Sequence, residues 1–333
     1  MTDVILQFYQ QIKRKIVIVM ERESVSVVVP VFNEEGNIAK LHKEIKDVCE
    51  ANGYEYEIIF INDGSSDGTD AVCRTLHPLK LITMRKNFGQ TAAMDAGIKA
   101  TQYNLIVTMD GDGQNDPADI PNMITYLREN NYDVVSGWRK NRKDTFMKRF
   151  VSRGANFLRY LLVHDGIHDS GCSLKVYKRE CFKGITLYGE QHRFIPAILK
   201  IKGFTVGEVV VNHRPRTSGK TKYNWKRTIK GFVDMISVWF WNKFATRPLH
   251  LLGGIGFIFE ILGFACGIWS ICLFLAGRKM SNNIFPPLLT VFFVIIGLLM
   301  IIFGLMSEIL IKTYYGVHVD TPYSVKSIED IEK

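Results

Sequence analysis

Two runs near the C-terminus constrain this chain more than any other feature. Leu249–Ala276 is 28 residues with one fully charged side chain, Glu260; Pro286–Ile311 is 26 residues with one, Glu308. As helices, both are long enough to cross a hydrocarbon core of about 30 Å with some tilt. The intervening Gly277–Phe285 is short, which predicts an antiparallel hairpin. A pair of buried helices in a soluble domain is the competing reading. It is disfavoured because two such uncharged runs in succession are unusual in water-soluble folds.

An even number of spans places both flanking regions on one side of the membrane. Met1–Glu23 does not read as a signal peptide. Lys13, Arg14 and Lys15 interrupt it, and the apolar run after them is too short. Residues 1–23 are therefore expected to be a leader, with the large N-terminal region and the tail 313–333 in the cytoplasm. Lys226, Arg227, Lys230, Lys243, Arg247 and Lys312 agree with that orientation; Arg278 and Lys279, in the hairpin turn, dissent. Before the first run, Phe232, Met235, Ile236, Trp239 and Phe240 recur at helical spacing behind a cationic stretch. Residues 225–248 thus read as an amphipathic helix lying on the bilayer, with a core helix of the soluble domain as the alternative.

From Ser24 onward, short β-branched runs alternate with amphipathic stretches. Strands are predicted at Ser26–Pro30, Glu57–Asn62, Leu79–Met84, Tyr103–Met109 and Asp133–Gly137. Helices are predicted at Gly36–Ala51, Asp67–His77, Gly89–Thr101 and Pro117–Asn130. This order implies an α/β domain with a mostly parallel, Rossmann-like sheet. Ligands in such sheets bind beyond the carboxyl ends of the strands, which points to Pro30–Glu35, Asn62–Thr69, Asp110–Gln114 and the segment after Gly137.

Several chemistries are excluded or weakened. The six cysteines form no CxxC pair, which argues against a cysteine zinc site and a disulfide scaffold. No GxGxxG follows the first strand, so a dinucleotide oxidoreductase is disfavoured. Ser218–Thr221 ends like a P-loop, but Arg214 stands where its first glycine belongs. His164, Asp165, His168 and Asp169 have metal-like spacing, broken by Gly166, and read as loop residues.

Two segments carry positive chemistry. In Asn62–Thr69, Asp63 at a strand end can accept from a nucleobase or from ribose hydroxyls; a turn with a helix N-cap explains the same residues equally well. In Asp110-Gly111-Asp112-Gly113-Gln114, alternating oxygen ligands on a tight loop suit a hard divalent cation, Mg²⁺ or Mn²⁺, holding a diphosphate. An EF-hand is excluded because Asn115 and Pro121 stand where that loop needs Gly and Glu.

The net charge of +9 is concentrated. Residues 138–153 hold seven Lys/Arg against one Asp, and residues 212–230 hold seven more with no acid. A solvated basic face near anionic lipid would look the same. Nucleic acid is not expected, because no aromatic platform or RNA-binding motif accompanies the charge.

VPVFNEEGN, INDGSSDGT and DGDGQ at these spacings resemble the nucleotide-binding half of family 2 glycosyltransferases, which have the GT-A fold. With two C-terminal helices, the chain is most similar to the polyprenyl-phosphate glycosyltransferases, a resemblance that covers about residues 24–325. It departs from them in the leader and in Asn62, where many relatives carry Asp. The resemblance implies a GT-A domain over 24–224, the interfacial helix over 225–248, a transmembrane hairpin over 249–312, and a multi-pass protein of the bacterial inner membrane. It further implies a nucleotide-diphosphate sugar donor and a polyprenyl phosphate acceptor. Pro30, Asn33, Glu35, Asp63 and Asp110 would bind the donor, with the metal on Asp110, Asp112 and Gln114. Arg139, Lys148, Ser152 and Arg153 would sit at the acceptor phosphate. His213, Arg216 and Lys222 would cover the donor diphosphate, and Asp169 belongs to a short acceptor-site motif. Asp112, Asp169, Arg139 and Arg153 are the expected catalytic group.

Glu190–Pro196 resembles the segment lining the sugar pocket, or is simply a helix N-terminus. The expected donor is UDP-glucose, with GDP-mannose and UDP-linked amino-arabinose as alternatives. A non-catalytic nucleotide-sugar-binding scaffold is the rival from another class. A processive synthase is disfavoured because no QxxRW motif is present. Gly253, Gly254 and Gly256 could support a homo-oligomer.

Overall fold

The computed structural model describes residues 23–140, 166–215, 236, 239, 240, 243, 244, 247–279 and 283–317. The chain divides into two compact units, Met1–Met235 and Ile236–Lys333.

The first unit runs β1 Ser24–Val31, α1 Ile38–Ala51, β2 Glu55–Asn62, α2 Thr69–Cys73, β3 Lys80–Thr83, α3 Gln90–Lys99 and β4 Leu105–Thr108. A 3₁₀ turn at Pro117–Asp119 leads into α4 Ile120–Glu129, followed by β5 Val134–Trp138, β6 Lys175–Lys178, α5 Ile195–Ile201 and β7 Val206–Val210. The described strands form one sheet in the order β3-β2-β1-β4-β6-β5-β7. Four strands, β3-β2-β1-β4, are mutually parallel, and β7 is parallel to β5. β6 alone runs antiparallel to both neighbours.

The central strand β1 is buried on both faces. Val25, Val27 and Val29 pack into one apolar cluster and Val28 into another, as expected of a sheet covered by helices on both sides. In α1, Ile38, Leu41, Ile45 and Cys49 repeat at helical spacing and are buried in the first cluster. Truncating one of the larger of these would cost about 2–5 kcal/mol. Pro30 is tolerated here for a geometric reason. Val28 O accepts from Met109 on the β4 side and Val31 O accepts from Asp63 on the β2 side. The N–H that Pro30 lacks therefore points toward β4, just past Val28↔Thr108, where that ladder ends.

The predicted strands and helices all appear, with shifted ends. The largest shift is in the predicted helix Asp67–His77, which is helical only over Thr69–Cys73. Thr75 donates its N–H and its hydroxyl to Val72 O, which tightens the end into a turn. β6 and β7 have no counterpart in the sequence reading.

In the second unit, α6 spans Pro248–Leu275 and α7 spans Phe285–Val317. Both are long and apolar enough to cross a membrane, and only 6% and 11% of their most apolar windows are buried. That exposure distinguishes them from core helices of a soluble domain, which bury such windows. They pack on each other through small residues: a Cβ on Gly256 would lie 2.7 Å from the Gly297 carbonyl oxygen. Gly256 thus serves contact within the hairpin, whereas Gly254 has open space around its Cα. Of the predicted interfacial helix, residues 225–235 lie outside the described residues. Ile236, Trp239, Phe240, Lys243 and Phe244 are helical.

Candidate active site

The carboxyl ends of β1, β2 and β4 converge on one edge of the sheet, and short polar loops interlock there. Asn33 adopts a left-handed backbone, φ 55°. Its N–H donates to Ser65 Oγ at 3.0 Å, and its side-chain oxygen accepts from Ser66 N at 2.8 Å. Glu35 Oε2 accepts from Gly68 N at 2.8 Å, and Glu34 N donates to Thr69 Oγ1 at 2.9 Å. Asn33 and Glu35 therefore staple the β1 loop to the β2 loop. Pro30 is buried within β1 rather than lying on the open edge.

Asp63 is buried. Its two carboxylate oxygens accept from Phe88 N at 2.8 Å and Gly89 N at 2.9 Å, anchoring the start of α3. Asn62 explains its own departure from the family pattern. It donates to Asp70 Oδ1 at 3.2 Å and accepts from Ser65 N at 2.9 Å. An aspartate here would set a second carboxylate against Asp70, which lacks the donor that Asn supplies.

The loop after β4 brings Asp110 and Asp112 together. Gly111 is required by close approach: a Cβ there would lie 2.8 Å from Val31 Cγ1 and 3.1 Å from Pro30 O. Burial, and then the Asp112 charge, push the Asp110 carboxyl above the usual carboxylate range. Gln90 Nε2 donates to Asp110 Oδ1 at 2.6 Å, and Asp112 Oδ1 accepts from Gln114 N at 3.1 Å. The 213–215 segment is strapped to this loop. His213 bridges Asn115, and Gln114 O accepts from Arg214 N at 2.9 Å. The Arg214 guanidinium spans Glu44 and Asp116, each at 2.7 Å.

Because β6 is antiparallel, its first residue lies at the edge where β4 and β5 end: Lys175 is opposite Thr108 on one side and Ser136 on the other. The preceding turn carries Asp169, which holds Arg139 in a two-pronged ion pair at 2.7 and 2.9 Å. Burial alone would raise the Asp169 carboxyl, but the Arg139 hydrogen bonds and charge hold it below the usual range. Asp169 N and His168 N donate to Glu208 on β7, and His168 stacks on Trp138. His168 is thus a loop residue, as the break at Gly166 suggested.

Asp110, Asp112, Gln114, Arg139 and Asp169 therefore share one edge, with His213 tied to it. Lys148, Ser152, Arg153, Arg216 and Lys222 lie outside the described residues. Sequence reasoning missed Lys175 and Gln90. Lys175 lies six residues after Asp169, just beyond the short acceptor-site motif, and that proximity was the available signal.

Residues 26–186 match the profile described as glycosyl transferase family 2. Dodecaprenyl-phosphate galacturonate synthase of Rhizobium johnstonii is 38% identical over 92% of this chain and 93% of that protein. The chain belongs to glycosyl transferase family 2. A second relative of this glycosyltransferase is the undecaprenyl-phosphate 4-deoxy-4-formamido-L-arabinose transferase of an Enterobacter species, 31% identical over 91% of the chain and 93% of the relative. Among solved structures, glucosyl-3-phosphoglycerate synthase from Mycobacterium tuberculosis, in complex with Mn²⁺ and UDP-glucose, is 16% identical with a TM-score of 0.53. It covers 65% of this chain and 79% of its own, and at that identity it speaks to the shared GT-A fold. Both curated relatives align over nearly the whole glycosyltransferase.

Proposed function

We propose that this glycosyltransferase moves one sugar from a nucleotide-diphosphate donor to a polyprenyl phosphate at the cytoplasmic face of the bacterial inner membrane. The observation that carries the reading is the meeting, at one sheet edge, of the Asp110–Asp112 turn and the Arg139–Asp169 pair. It is supported by two relatives named for polyprenyl-phosphate sugar chemistry over more than 90% of the chain, and by two apolar helices suited to reach a lipid acceptor.

The donor set fits Mg²⁺ or Mn²⁺. Two carboxylates share one turn; burial, and then the Asp112 charge, raise the Asp110 carboxyl, and a bound divalent cation would offset the repulsion between the two. Among the described residues no cluster of three or more His, Cys, Asp or Glu side chains could hold a metal. Asp110 and Asp112, with Gln114, would therefore share the ion with diphosphate oxygens and water. When bound, the ion supplies Lewis-acid stabilisation of the leaving diphosphate.

The chain's own groups then position two anions. An acceptor phosphate oxygen is already ionised at neutral pH, so attack on the anomeric carbon needs no strong general base. The new oxygen–carbon bond forms as the bond to the diphosphate breaks on the opposite face, which inverts the anomeric centre. Arg139, fixed in orientation by Asp169, is suited to present two N–H groups to the acceptor phosphate. Asp63 can contact the nucleobase only with oxygens that also hold the start of α3.

For the sugar, the curated relatives point away from glucose: their names specify galacturonate and a formamido-arabinose. A panel of nucleotide-activated galacturonate, glucose, formamido-arabinose and mannose, incubated with membranes and undecaprenyl phosphate, tests the reading. Radiolabel entering the lipid from one donor, dependent on a divalent ion, is the expected result. No transfer from any donor would overturn it.

A further inference from the structure

We propose that Lys175 is a positioning residue that holds the Asp169 turn in register with the Asp110 loop, and so fixes the acceptor phosphate relative to the donor. This rests on the functional reading above.

Lys175 is a buried lysine, 2% exposed, at the mouth of a sheet whose neighbouring inward positions are mostly apolar. A buried ammonium costs several kcal/mol unless it is fully engaged. Here Nζ donates to Cys172 O at 2.5 Å and to Ser170 O at 3.4 Å. Both carbonyls belong to the turn that carries Asp169. Burial pulls the Lys175 ammonium below the ordinary lysine range, while the Asp169 and Asp110 charges support it and Arg139 opposes it. Lys175, Arg139, Asp169 and Asp110 thus interact as one group, with Asp112 adding a further negative charge beside Asp110. Asp110 stands at its donor end, and the Arg139–Asp169 pair at its acceptor end.

The strand topology makes this placement possible. A parallel strand would bring its last residue to the ligand edge, and its loop would lead away to a helix. The antiparallel β6 brings its first residue there, directly after the Asp169 turn. Lys175 is consequently rooted in the sheet by its backbone while its side chain grips the turn. Its opposite number on β4, Thr108, is two residues before Asp110, and Thr108 Oγ1 donates to Ser173 O at 2.9 Å. The Asp169–Lys175 segment and the Asp110 strand are therefore tied twice.

The lysine also opposes a cation at Asp110 through its charge. This separates a positioning role from a merely structural one, because removing the charge at constant shape should loosen the acceptor site without weakening metal binding.

The test uses full-length Lys175→Met in lipid nanodiscs. Mn²⁺–UDP affinity is read by titration calorimetry, and kcat and acceptor KM with undecaprenyl phosphate and the donor found by the panel. Expected is a loss of kcat/KM for the lipid on the order of a hundredfold, the scale of misplacing a reacting group by about an ångström. Mn²⁺–UDP affinity should be unchanged or tighter. Wild-type kcat/KM in Lys175→Met, or a parallel loss of Mn²⁺–UDP affinity, would overturn the assignment. If Lys175→Met does not fold, Lys175→Arg decides on the same constants, since it keeps the charge but cannot place one nitrogen between those two carbonyls. A wild-type protein that transfers no sugar from any donor overturns the functional reading and this inference together, whereas an active wild type with an unaffected variant overturns this inference alone.

Discussion

In the sheet unit, Val25, Val27 and Val29 are wholly buried; in the hairpin, Phe264, Leu275 and Leu310 are 72%, 76% and 67% exposed. The side chains are equally apolar, so the difference lies in what surrounds them. In water, apolar area finds its own core at about 25 cal/mol per Å², and side-chain alternation decides which face turns in. In a bilayer that drive between helices vanishes, and close approach at small residues decides how they pack. The same contrast governs charge. At the sheet edge each carboxylate described above is met by N–H donors or a cation. In the hairpin, the Glu260 carboxylate lies against Gly297, and one of its oxygens is buried without a hydrogen-bond partner. The sheet unit carries chemistry at an edge where these carboxylates are fixed by bonds, and the hairpin is built for apolar surroundings.

The sharpest test of that division is at the Asp110 loop. Asp110→Asn or Asp112→Asn should cut transfer by about a hundredfold or more, the scale of losing a principal electrostatic stabiliser. Chelation with EDTA should abolish turnover, and Mg²⁺ or Mn²⁺ should restore it. Full activity in EDTA would remove these residues from the metal.

Next in size is separation of the two units. Ending the chain after Asn242 removes α6 and α7 but leaves every described strand. The shortened protein should bind UDP and Mn²⁺ as before and lose about tenfold or more in transfer to membrane-embedded undecaprenyl phosphate, because surface delivery is gone. A short water-soluble prenyl phosphate should be used comparatively better. Wild-type transfer to the embedded lipid would break the comparison, leaving the hairpin a role in assembly.

Much of this was legible in the sequence because β-branched runs and turn residues act locally. The central strands and their helices follow from periodicity, and the DGDGQ turn from its alternating oxygen ligands and glycines. β6 was not legible: KVYK is four residues long, with lysine at both ends, and its burial depends on β4 and β5 lying on either side. Lys175 was missed for the same reason, since a lysine reads as a surface residue until the topology encloses it. Asn33 and Glu35 lie in the strand-end segment Pro30–Glu35, and the resemblance implies that they contact the donor. Their hydrogen bonds also join two loops that sequence spacing cannot place side by side.

A third test sharpens the packing contrast. Gly256→Leu must push into the Gly297 backbone, and overpacking of this kind costs about 1–3 kcal/mol. The thermal midpoint of the hairpin in detergent should fall, while UDP affinity stays at the wild-type value. Equal loss in both would mean that the two units do not behave independently.

The smallest effect concerns Asp67, where charge stabilises a loop in the sheet unit. Asp67 accepts from Thr69 N at 3.0 Å and from Glu35 N at 3.4 Å, closing the β1 and β2 loops around the start of α2. Burial would raise its carboxyl, but the Thr69 side-chain and backbone bonds and the Glu35 N–H outweigh it, and the group is held below its ordinary value. A depressed carboxyl stabilises the fold fully above the unfolded value, near 3.9. It ceases to do so as the pH falls through the lower folded value. Asp67→Ala should therefore cost about 1 kcal/mol at pH 7, the usual net scale of a hydrogen bond. Urea unfolding of the wild type and Asp67→Ala at pH 7 and at pH 3 measures the gap, which should narrow on acidification. Asp67→Asn keeps an acceptor but cannot titrate, so its own gap to Asp67→Ala should be nearly independent of pH. A wild-type gap that holds constant from pH 7 to pH 3 would show that the loops are held by shape alone, without the carboxylate charge.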